Sequence, residues 1–119
     1  MASLDMTGPY VLVPDKVDEN VGQRLPGNYA VGYISENDFI VLYVGRSEED
    51  INAELKDWVY RKSDCLFFKF SIAKSPEEAF YKECVNFHDF AGSTNLKSDK
   101  HPVRDKSHDW KCPRCGFYG

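Results

Sequence analysis

From residue 27 onward the chain switches between two kinds of hydrophobic spacing. Residues 28–35 read Asn-Tyr-Ala-Val-Gly-Tyr-Ile-Ser. The run is rich in β-branched and aromatic residues, which suit a pleated, half-buried surface. Glu36-Asn37-Asp38 interrupts it with polar turn formers, and residues 39–45, Phe-Ile-Val-Leu-Tyr-Val-Gly, resume the same character. Two strand-like runs joined by so short a link predict an antiparallel hairpin. The spacing then changes. Ile51, Leu55, Trp58 and Val59 fall at i, i+4, i+7 and i+8, which is one apolar stripe of an amphipathic helix. Ser47 is the expected N-cap of that helix, with Glu48, Glu49 and Asp50 in its first turn, where the helix dipole favours acids. Leu66, Phe68, Phe70 and Ile72 return to every-second-residue spacing and predict a third strand over 66–73. Ser75-Pro-Glu-Glu78 is a capping box with proline at the first helical position. It opens a helix over 76–90, which Ala91-Gly92-Ser93 stops.

The predicted order is β-β-α-β-α, an α+β arrangement in which a small three-stranded antiparallel sheet is flanked by helices. Residues 1–26, punctuated by Pro9, Pro14, Gly22 and Pro26, read as a flexible arm, with Tyr10–Val13 as a candidate edge strand. Residues 27–96 form the expected core, and 97–119 a loop and knuckle packed on the second helix. A chain of 119 residues makes one domain, and a hydrophobic fraction of 42% is enough for a compact core. No apolar run approaches membrane-spanning length, and Met-Ala-Ser-Leu-Asp-Met-Thr-Gly lacks the basic and apolar regions of a signal peptide. A soluble, cytoplasmic monomer with no membrane partner is expected. The formal net charge of −4 argues against a strong nonspecific nucleic-acid binder, although it leaves room for a local basic patch.

The last third of the chain carries the outline of a metal site. Cys84 and His88 are followed by Cys112-Pro-Arg-Cys115-Gly. Zinc takes thiolate sulfur and imidazole nitrogen in a tetrahedron, and a structural site fills all four positions. Residues at i and i+4 of a helix share a face, so Cys84 and His88 can aim at one ion. The two residues between Cys112 and Cys115 let both sulfurs curl toward the same point. A thioredoxin-type disulfide would need this motif at the start of a helix, and none is expected here. His101 and His108 are alternative fourth ligands, and Cys65, in a strand-like run, reads as a small apolar residue. A zinc staple of this kind adds directly to folding free energy, and it implies a reducing compartment.

Gly27-Asn-Tyr29 opens the first strand of the hairpin, Tyr43-Val-Gly45 closes the second, and Glu83 lies on the last helix. In this frame the chain resembles the GIY-YIG nuclease superfamily over roughly residues 27–95. With its tail it looks like a small zinc-knuckle-bearing member of uncharacterised type. The resemblance implies hydrolysis of a DNA phosphodiester. Tyr29 and Tyr43 would position or activate water and support the phosphate. Glu83 would hold Mg²⁺, and Asn95 would match an asparagine that follows the second helix in the family. The resemblance breaks at the cation. Aligned on Leu55, the family's arginine position is Glu54 and its histidine position is Trp58. A glutamate beside a phosphate repels it, at a cost of several kcal/mol of transition-state stabilisation, or on the order of a thousandfold in rate. Arg46 is the candidate substitute, at a strand end beside a helix N-terminus. Two expectations follow: a degenerate endonuclease using Tyr29, Tyr43, Arg46 and Glu83, or a catalytically silent nucleic-acid- or protein-binding module. In either case Lys56 and Arg61 offer further positive charge on the first helix, and zinc is the structural metal. Elemental analysis of the purified protein should find about one zinc per chain, lost in Cys84→Ser and His88→Ala. A wild-type protein without zinc would remove the staple.

Overall fold

The computed structural model describes residues 6–22, 24–61 and 65–90. They build an α+β unit of four strands and three helices: β1 (Thr7–Val11), α1 (Pro14–Asn20), β2 (Gly27–Ser35), β3 (Asp38–Ser47), α2 (Ile51–Tyr60), β4 (Phe67–Ile72) and α3 (Pro76–Phe90). The sheet is antiparallel throughout, in the order β1-β4-β2-β3.

The β2–β3 hairpin turns on two residues. Glu36 and Asn37 both have positive φ, 51° and 72°, between the paired residues Ser35 and Asp38. Such a turn matches the right-handed twist of the strands it joins, and asparagine tolerates the left-handed backbone. The ladder skips a residue between Val31 and Gly32, so Leu42 is the extra residue of a bulge in β3. Beyond it the pairing runs to Asn28 opposite Arg46 and Gly27 opposite Ser47.

The alternation of strand side chains divides the core. On one face Tyr29, Val31, Phe68 and Phe70 pack with Ile51, Leu55 and Trp58 of α2 and with Val17 of α1. On the other, Ala30, Val41 and Val44 meet Phe87 and Phe90 of α3. Asn28 points to the α3 side, where it is fully buried and its Nδ2 donates to the Ala79 carbonyl at 2.8 Å. A buried amide is costly unless bonded, so this contact sets α3 at one height along β2. The capping box at the start of α3 is formed: Glu78 N–H donates to Ser75 Oγ at 3.1 Å. Its return arm lands one residue early, with Lys74 N–H donating to Glu78 Oε1 at 3.3 Å.

Three expectations are corrected. The sheet has four strands, not three, because β1 pairs with β4 through Thr7, Tyr10 and Val11. The segment read as a flexible arm therefore contains both β1 and α1. With seven residues, α1 is too short to show a helical period. What holds it comes from α2: Asn52 Nδ2 donates to the Val21 carbonyl at 2.9 Å and to Asp18 Oδ1 at 3.2 Å, and Lys56 pairs with Asp18 at 2.7 Å. Third, α2 starts at Ile51. Its N-cap is Asp50, whose side chain accepts from Ala53 N–H at 3.2 Å. Ser47 ends β3 instead, and its hydroxyl accepts from Asp50 N–H at 3.0 Å. The longer ladder draws Arg46 and Ser47 into the strand and leaves Glu48 and Glu49 in a bend between strand and helix. The expected knuckle and its loop, 97–119, lie outside the described residues. Among those described, no helix is long and apolar enough to cross a membrane.

Candidate functional site

Helices α2 and α3, on opposite faces of the sheet, both reach the end of β3. There an open cavity of about 490 Å³ is lined by Tyr29 from β2, Gly45 and Arg46 from β3, Glu48 from the bend, Glu54 from α2 and Glu83 from α3. Tyr29 enters it by crossing its partner residue Gly45. A Cβ on Gly45 would overlap the phenol ring and hydroxyl, so the glycine is what gives the ring its passage. The Tyr29 hydroxyl donates to Glu54 Oε1 at 3.2 Å. Burial pushes its pKa well above the ordinary phenol value, and the charges of Glu54 and Glu83 add to that. The Trp58 indole N–H, near the oxygen but outside hydrogen-bonding geometry, pulls the other way. Tyr29 is therefore a neutral donor at physiological pH, suited to positioning a ligand oxygen and unsuited to acting as a base.

Arg46 is held from two sides. Its Nη1 donates to Glu83 Oε1 at 2.5 Å, and its Nη2 and Nε both donate to Glu48 Oε2, at 2.8 and 3.3 Å. The guanidinium also lies 5.0 Å from the centre of the Phe80 ring. Burial works against its charge, but Glu83 and then Glu48 outweigh that and hold its pKa above the usual arginine value. With all groups ionised, Arg46 against Glu48, Glu49, Glu54 and Glu83 gives the cavity lining a formal charge of −3.

The structure thus brings Tyr29, Arg46 and Glu83 together, with Glu54 among them. It does not bring in the other described candidates. Tyr43 does not line the cavity; its ring packs 4.8 Å from Trp58, which also stands 6.1 Å from Tyr29. Lys56 is paired with Asp18, and Arg61 stacks 4.3 Å over Trp58, neither of them on the cavity wall. Cys84 is fully buried on α3 with His88 one turn further on. Asn95, His101, His108, Cys112 and Cys115 lie outside the described residues. Among the described residues, no group of three or more histidine, cysteine or acidic side chains converges on a point that could hold a metal.

Glu48 and Phe80 were not anticipated in the site. The signal for Glu48 is the spacing Arg46-Ser-Glu48. On an extended backbone, residues i and i+2 share a side, so an acid two positions after Arg46 can meet it once β3 is known to run to Ser47, the residue before Glu48. Compared with protein-family models, curated proteins and solved structures, the chain matches none.

Replacing Gly45 by alanine should cost about 1–3 kcal/mol in chemical denaturation, because the methyl must displace the Tyr29 ring. In a Tyr29→Ala background the same methyl meets no ring, and the added cost should fall below about 0.5 kcal/mol. Equal costs in both backgrounds would disprove the contact.

Proposed function

We propose that this chain is a GIY-YIG-like endonuclease domain whose cleavage site is degenerate. It engages a nucleic-acid phosphodiester through Arg46 and a divalent cation at Glu83, and it hydrolyses that bond poorly because of Glu54. The observation that carries this reading is the meeting of Tyr29, Arg46 and Glu83, from three different elements, on one open cavity. The order β2-β3-α2-β4-α3 supports the same frame.

The donor set fits Mg²⁺ only in a limited way. One carboxylate is enough when substrate phosphate and water complete the shell, and Glu83 faces the open cavity. When bound, such an ion polarises a phosphoryl oxygen and stabilises developing charge. Arg46 supplies the fixed positive charge for a non-bridging oxygen, and Tyr29 donates a hydrogen bond beside it. Glu54 opposes both, since its carboxylate takes the Tyr29 hydroxyl and repels the incoming phosphate. A lining of formal charge −3 also makes metal-free binding of a polyanion weak.

A second reading is favoured by that same negative lining: a catalytically inactive, zinc-stabilised module that binds a protein partner through a cationic group. Both readings keep zinc as a staple. Cys84 and His88 supply two ligands from α3, and Cys112 and Cys115 complete the set, as thiolates in a reducing cytoplasm.

Binding of labelled DNA oligonucleotides and nicking of supercoiled plasmid, each with Mg²⁺, Mn²⁺ or EDTA, separate the two readings. The wild type should bind in Mg²⁺, release in EDTA and nick near background. Glu54→Arg should raise nicking at least about tenfold, and Glu83→Gln or Tyr29→Phe should abolish the gain. No binding under any metal condition would overturn the nuclease reading and leave the protein-partner one.

A further inference from the structure

We propose that Glu48 is an internal occupant of the phosphate-binding edge of Arg46, so that the site is autoinhibited until that carboxylate swings away. This rests on reading the cavity as a phosphodiester site.

An arginine grips phosphate or carboxylate oxygens along a planar edge of its fork of N–H donors. In this structure both nitrogens of one such edge, Nε and Nη2, donate to Glu48 Oε2. The remaining terminal nitrogen, Nη1, is on Glu83. The arginine side chain is 9% exposed, so an incoming anion that uses the Nε and Nη2 edge must first remove Glu48.

The two carboxylates on Arg46 differ in freedom. Glu83 is 15% exposed and belongs to α3, whose height is set by the buried Asn28 to Ala79 bond. Glu48 is 27% exposed and sits in the short bend between β3 and α2. The backbone on its C-terminal side is pinned by the Ser47 hydroxyl and the Asp50 cap. Release of Glu48 therefore needs a side-chain rotation only, with solvent available on its far side. Glu83 holds the guanidinium in place while Glu48 covers its working edge. Because Glu48 is tethered next to Arg46, it competes at the high effective concentration of an intramolecular ligand.

Glu48→Asp provides a clean test, because it keeps the charge and shortens the reach. Anisotropy of a labelled oligonucleotide in Mg²⁺ should show binding about tenfold tighter for Glu48→Asp and for Glu48→Gln than for wild type. Glu49→Gln removes a charge from the same cavity wall and should tighten binding less than either. Adding Arg46→Met to Glu48→Gln should erase the gain. Thermal unfolding of each variant checks that the fold is kept. If Glu48→Asp binds like wild type while Glu48→Gln and Glu49→Gln tighten equally, net charge alone is at work; autoinhibition is then overturned and the nucleic-acid reading stands. If no variant binds in Mg²⁺, the phosphodiester reading fails and the proposal falls with it.

Discussion

The ion pair between Arg46 and Glu83 is the constraint on which the rest of the site depends. It joins the end of an edge strand to a helix on one face of the sheet, and both side chains are largely buried. A buried charge without its partner is costly, so neither residue can turn away. The pair fixes a guanidinium in a cavity that otherwise carries only acidic charge. It also sets where Glu48 can reach and where the charge of Glu83 is felt by the Tyr29 phenol. Several other specific polar contacts of the fold surround this meeting point. Asn28 positions α3, the Ser47 and Asp50 caps position the start of α2, and Gly45 opens the way for Tyr29.

The arrangement explains how Glu54 fits where an arginine would be expected by resemblance. A carboxylate beside a neutral phenol is satisfied by one hydrogen bond, so Glu54 is stable in the folded protein. On the proposed phosphodiester reading, its penalty falls on an entering phosphate and not on the fold. Glu54 leaves the packing of Leu55 and Trp58 intact, and on the same reading it reverses the charge that a ligand would meet.

Much of the fold was legible because its periods are long and clean. The capping box placed the start of α3, the hairpin followed from two runs of β-branched and aromatic residues on a short link, and the stripe of α2 from helical spacing. Elements stabilised by distant partners were not legible. Residues 14–20 offer only Pro14 at the first position and Asp15 in the first turn as local signs of a helix, whose hold comes from Asn52 and Lys56 more than thirty residues on. Asn28 reads as a polar strand residue, yet it is buried because α3 offers it a carbonyl. In the site, Arg46 could be picked out as the nearest cation to replace a missing one. Its covering by Glu48 could not, since that depends on β3 continuing two residues past its expected end. Tyr43 shows the opposite case: a motif position pointed to the site, but its ring packs on Trp58 and does not line the cavity.

The most direct test of this account is a double-mutant cycle of Arg46→Met and Glu83→Gln followed by urea unfolding. The account predicts that Arg46→Met, which removes the buried guanidinium from both carboxylates, destabilises by about 3 kcal/mol, and that Glu83→Gln costs less because Arg46 keeps Glu48. The double substitution should cost little more than Arg46→Met alone, with a coupling of at least about 1 kcal/mol. Strictly additive single effects, with no coupling, would contradict the claim that this pair organises the site.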